Sequence, residues 1–205
     1  QLWEGDCAHE GEFYQFPSTT SAPKPVQKGG PPIWIAARDI NSHAFGVDNG
    51  FNIQVTPLWQ GIQEIEDLMS KFNEVCATSE NPRPKIMLLH HTYVATDDVD
   101  AMVAANELSK FYNYFGAWFK NARPVKQGLI EALTDEELAG NKMMSQENML
   151  RDLTIGTAQE VIDQIKRYED LGYDEYAFWI DSGMDFERKR ASLSRFIDDV
   201  MPAFS

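Results

Sequence analysis

The sequence predicts an α/β fold with about four parallel strands, covering helices and a helical insertion. Three observations carry this. Short apolar runs bounded by Pro and Gly read as strands buried on both faces. Stretches of helical period lie between them. The two alternate as β-α-β-α-β-α-α-β-α, the order of a parallel sheet wrapped by helices. Four strands in 205 residues amount to half a (β/α)8 TIM-type barrel with insertions, or to a small open sheet.

Residues 1–30 read as an irregular, Gly/Pro-rich lead-in to β/α units at 31–205, the whole forming a single domain. A short strand is expected at Glu12–Phe16, then a loop from Pro17 to Gly30. The opening QLW resembles the last apolar turn of a helix, which suggests a longer natural chain. Ile33–Ala37 is the first buried strand, and a short helix at Ser42–Asn49 stops at Gly50. Phe51–Thr56 is the next strand. Ile62, Ile65, Leu68, Met69 and Phe72 mark one face of a helix over 62–77, broken by Pro82 and Pro84. KIMLLHHTYVAT, residues 85–96, is a long strand, and Asp97 and Asp98 favour the start of a helix over 99–119. That helix is unusually aromatic; its stripe from Phe111 to Phe119 reads as core or interface, with an apolar substrate pocket as the alternative. Residues 120–153 are shorter helices and loops, with a capping-box pattern at Thr134. Thr157 caps the amphipathic AQEVIDQIKRYEDL, ended by Gly172. EYAFWID at 175–181 is the last strand, before a helix over 185–201.

Composition excludes several classes. With 18 Lys+Arg against 32 Asp+Glu the formal charge is −14, which repels phosphate backbones, so no nucleic-acid partner is expected. No apolar run approaches a membrane span. Cys7 and Cys76 are isolated thiols, as in a reducing cytoplasm. Walker, GxGxxG and Ser-His-Asp patterns are absent.

Few residues stand out as candidate chemistry. His90 and His91 are adjacent on a strand, so they point to opposite faces and do not chelate one metal together. Each reads as structural, with a general base on the inner face as the alternative. No metal site is expected. Asp181, Ser182 and Gly183 follow the last strand, where barrels carry their chemistry. Loop formation is the plainer role for them, and for Asp39 and His43.

PKPVQKGGPPIWIAARDINSHAFGVDNGFNI, residues 23–53, and DLTIGTAQEVIDQIKRYEDLGYDEYAFWI, residues 152–180, together resemble the bacterial luciferase-like flavin-dependent monooxygenases. The resemblance runs along essentially the whole chain and maps it onto the second half of the family's (β/α)8 barrel. It implies oxidation of an organic substrate with molecular oxygen and reduced FMN supplied by a separate flavin reductase. Some relatives use F420; FMN is the expectation here. Most of the family's usual dimer interface lies in the other half of the barrel; the open sheet edges of a half-barrel lead to the expectation of a homo-oligomer, and the isolated thiols to that of a cytoplasmic location. A polar pair at the helix start after the first strand faces the flavin phosphate in that family, and Asn41 and Ser42 match it, with Asn where Glu is usual. Free amides at a helix N-terminus favour an anion there, although both residues also suit a cap. Arg38, Ala37 and Trp34 are the further candidates for the flavin-site wall, with Arg38 a possible cationic contact. Most of the family's flavin site lies in the other half of the barrel. The alternative is therefore a non-catalytic half-barrel that self-associates and binds no flavin.

Overall fold

A computed structural model describes residues 1–181 and 183–204. The chain divides into two compact units, the first spanning Gln1–Trp34 and the second beginning at Ile35. In the first, β1 (Cys7–Glu10) and β2 (Gln15–Thr19) form an antiparallel hairpin. The expected strand at 12–16 is thus displaced: residues 11–14 make the turn, closed by the Gly11 N–H donating to the Tyr14 carbonyl at 2.9 Å. Both strands are largely exposed and lack the apolar run that marks a strand in sequence.

The elements that follow are β3 (Trp34–Ala36), α1 (Ile40–Asp48), β4 (Asn52–Val55), α2 (Gly61–Thr78), β5 (Ile86–Val94) and α3 (Asp98–Lys120). A two-stranded ribbon of β6 (Val125–Lys126) and β7 (Leu129–Ile130) precedes α4 (Asp135–Gly140) and α5 (Gln146–Asp152). Then come β8 (Thr154–Gly156), α6 (Ala158–Leu171), β9 (Glu175–Trp179) and α7 (Phe186–Arg195). The expected helix over 185–201 is regular only to Arg195; a π-helical turn at Phe196–Val200 and a 3-10 turn at Met201–Phe204 complete it.

The main sheet runs β3-β4-β5-β8, with β9 also on β5. Parallel registers place Ile53 beside Ile86, Leu88 beside Tyr176 and Val94 beside Gly156. One nine-residue strand therefore serves three partners: residues 86–88 of β5 pair with β4, residues 87–91 with β9 and residues 92–94 with β8. The sequence expectation of about four strands omits β8. Its three residues sit between the end of α5 and the cap of α6, too short a run to show a period.

Alternation along each strand sorts the side chains. Ile53, Val55, Ile86 and Leu88 are fully buried and pack with Ile65, Leu68, Met69 and Phe72 of α2 and Val161 and Ile165 of α6. Gly46 of α1 fits closely here; a Cβ on it would lie 2.3 Å from Ile53 Cδ1, so no larger residue fits without repacking. A second core joins Tyr93, Ala104, Ala105, Leu108 and Tyr112 to Met149 and Leu153. The other sheet face, with Gln54, Met87, Leu89 and Ala177, is half-buried. Among the described residues no helix is long and apolar enough to cross a membrane.

Candidate functional site

Parallel strands end on one edge, so the loops after β4, β5 and β9 share it. The Ala37 N–H donates to the Gln54 carbonyl at 3.0 Å, tying the end of β3 beside the end of β4 and bringing loop 38–41 to the same edge.

In that loop the helix starts two residues earlier than expected, and its cap is Asp39. Asp39 Oδ1 accepts from the N–H groups of Asn41 (3.0 Å) and Ser42 (3.1 Å), and Oδ2 accepts from the Ser42 hydroxyl at 2.7 Å. Neither Asn41 nor Ser42 is the cap. Asp also suits that position, and its side chain reaches both amides. The Ser42 hydroxyl and amide, then the Asn41 amide, hold the Asp39 carboxyl below its ordinary range. Arg38 pairs with Glu64 at 2.6 Å. His43, fully buried, meets the Asp39 carbonyl through Nδ1 at 2.9 Å, and burial pushes its pKa down. Ala37 is buried and Trp34 half-buried at the start of β3. The loop offers donors of the kind a phosphate takes: two amides, a hydroxyl and a nearby guanidinium. Its donors fit an anion, and the anions they hold are the chain's own carboxylates.

His90 and His91 are both fully buried and point to opposite faces of β5. His90 Nδ1 bonds Thr154 Oγ1 at 2.9 Å, with Tyr168 edge-on to the ring. Burial first, and then the neighbouring His91, push its pKa down to about 3. His91 stacks on Trp179, with ring centroids 3.8 Å apart and 13° between planes. Its Nε2 lies 2.6 Å from the Asp181 carbonyl and its Nδ1 lies 2.5 Å from the Tyr112 hydroxyl. A carbonyl only accepts, so Nε2 carries the proton and Nδ1 accepts from Tyr112. Burial lowers the His91 pKa to about 4, so the ring is neutral at pH 7. His91 thus ties α3 to the loop after β9. The structure brings His91 and Asp181 together through the Asp181 backbone, leaving the exposed Asp181 side chain out of that bond. Ser182 lies outside the described residues.

Tyr112 also walls an open cavity of about 780 Å³ between α3, the loop after β4 and the insertion. Trp59, Phe115, Phe119 and Met144 share the wall, and Arg123 and Glu137 pair at 2.7 Å beside it. The aromatic stripe thus serves both roles: Tyr112 is fully buried in the core and reaches the cavity wall, and Phe115 and Phe119 line the cavity beside it. The sequence singled out Tyr112 only as part of the aromatic stripe from Phe111 to Phe119, and it did not mark Trp59 or Trp179 as members of the site. Only their positions hinted at them: Trp179 ends β9 and Trp59 lies in the loop after β4. No group of three or more His, Cys, Asp or Glu able to hold a metal is found among the described residues.

A parallel sheet wrapped by helices, with the donor-rich loop 38–42 and an aromatic cavity along its C-terminal edge, has the architecture of part of a (β/α) barrel. The chain belongs to the luciferase-like monooxygenase family, whose model matches residues 1–175. It is 61% identical, over all 205 residues, to the oxygenase component of the flavin-dependent trigonelline monooxygenase of Acinetobacter baylyi (strain ATCC 33305 / BD413 / ADP1), and covers 57% of that protein. Among solved structures, the monooxygenase RslO1 of Streptomyces bottropensis superposes with TM-score 0.70 at 20% identity, over 100% of this chain and 58% of that one. The oxygenating constituent of 3,6-diketocamphane monooxygenase from Pseudomonas putida, in complex with FMN, gives 0.64 at 14% identity, over 98% and 59%. Both likenesses establish the fold. The chain spans a little over half the length of these relatives.

Proposed function

We propose that the chain is part of the oxygenase component of a flavin-dependent monooxygenase. It acts on trigonelline or a closely similar N-methylated pyridinium carboxylate, with O2 and reduced FMN delivered by a separate flavin reductase. The single observation that carries this is the 61% identity, over all 205 residues, to an oxygenase component of that description. At that identity FMN is preferred to F420. Bound flavin would supply oxygen activation. The chain's own contribution, on this reading, is to hold and position the ligands. Asn41, Ser42 and Arg38 would take the flavin phosphate, Ala37 and Trp34 would form the wall behind it, and His91 would fix Tyr112 and the Asp181 loop. His90 and the Asp181 carboxylate have no assigned contact with either ligand. Cytoplasmic location and homo-oligomer formation belong to the same proposal.

The test supplies reduced FMN, 18O2 and the pyridinium carboxylate to the purified protein, and analyses the product by mass spectrometry. One 18O atom per product, dependent on protein and on reduced flavin, is expected. Unlabelled or unchanged substrate would overturn the activity. A second reading has one observation in its favour. The sheet face bearing Met87, Leu89 and Ala177 is half-exposed, as suits a half-barrel that self-associates without flavin. Sedimentation with and without FMN separates the two.

A further inference from the structure

We propose that the cavity between α3, Trp59 and the insertion is a subsite for a small, flat, positively charged aromatic ring of the N-methylpyridinium class. The inference deepens the proposed function and rests on it for the substrate chemistry. The residues forming this subsite are assigned from the structure.

The walls come first. Trp59 meets Tyr112 with centroids 5.5 Å apart at 67°, and Phe115 with centroids 6.4 Å apart at 71°. Phe115 and Phe119 lie 4.7 Å apart at 46°. None of these pairs stacks flat, so a planar ligand entering among them meets aromatic faces as well as edges. Aromatic faces are electron-rich and attract a cationic ring. Met143 and Met144 add polarizable, adaptable surface.

Charge comes second. The cationic side chains on the cavity are Lys120 and Arg123. Arg123 is committed: its guanidinium pairs with Glu137 and donates to the carbonyls of Glu131 and Ala132. That leaves the exposed Lys120, on the cavity lining, as the cation available to a ligand carboxylate. Asn113 and Asn141 are bonded to each other at 2.8 Å and set a neutral polar side.

Position comes third. Tyr112 stands in the cavity wall and donates to His91 on β5, so the cavity adjoins the C-terminal strand ends, where barrel enzymes do their chemistry. A volume of about 780 Å³ accommodates a six-membered ring with two substituents and leaves room for a second reactant.

The test titrates the purified full chain with 1-methylpyridinium-3-carboxylate and with 3-methylbenzoate, its isostere with an uncharged ring, by calorimetry. FMN binding is measured in parallel on each variant. Saturable binding of the pyridinium, about tenfold tighter than that of 3-methylbenzoate, is expected. Phe115→Leu and Phe119→Ala should each weaken it about tenfold. Phe119 is 66% exposed, so its replacement leaves the core intact even if Phe115→Leu fails to fold. Equal affinity for the two ligands, or pyridinium binding unchanged in both variants, would overturn the subsite. FMN binding without pyridinium binding overturns the subsite and leaves the proposed function standing. Pyridinium binding lost in the variants, with no FMN binding at all, supports the subsite and counts against the proposed function.

Discussion

Asp39 holds both amides at the start of α1 and the Ser42 hydroxyl. A phosphate using these donors must displace a carboxylate of the same charge sign. Asp39→Ala is therefore expected to tighten FMN binding by about three- to tenfold, and Ser42→Ala to weaken it. Equal affinity in both variants, by fluorescence titration, would move the phosphate elsewhere. The buried histidines set a second expectation. Folded His90 and His91 titrate at about 3 and about 4, well below the unfolded value of 6.5. The unfolded chain then binds more protons than the folded one below about pH 6.5, so stability rises with pH in this window. The contribution is complete above pH 6.5 and is lost progressively down to about pH 4 and then pH 3. Between pH 6.5 and 5 most carboxylates stay ionised, so a falling urea midpoint there reports the histidines. It should become shallower in His91→Gln and keep the part due to His90 and His43.

At the scale of elements, α2 and α6 are held to the sheet by fully buried aliphatic contacts. Leu68→Ala should cost about 2–5 kcal/mol with the denaturant slope unchanged, measured by urea unfolding. These helices were legible in the sequence because one apolar face repeats at helical spacing over 14 to 18 residues. The capping box at Thr134 was legible too: the Thr134 N–H donates to Glu137 Oε2 at 2.8 Å, and Thr134 Oγ1 accepts from the Glu137 N–H. The start of α1 was not. Asp39, Asn41 and Ser42 are all good caps, and only backbone geometry selects among them. The site was legible in part. The loop and the two histidine faces follow from local pattern. The meeting of His91 with Tyr112 and Trp179 joins residues 21 and 88 positions apart, a long-range contact that a local pattern does not contain.

The whole chain carries a charge of −14. Its field opposes an approaching flavin phosphate, so the FMN association rate should rise as salt increases from about 10 to 150 mM. A fall would mean that a local cationic site steers the ligand instead. The most direct test of the central claim, that this half-barrel belongs to a working flavin oxygenase, is a titration of the purified chain with oxidised and reduced FMN by flavin fluorescence and calorimetry. Saturable binding at micromolar concentration, one flavin per chain and weakened by Ser42→Ala, is expected. A folded chain that binds no flavin at millimolar concentration would contradict it.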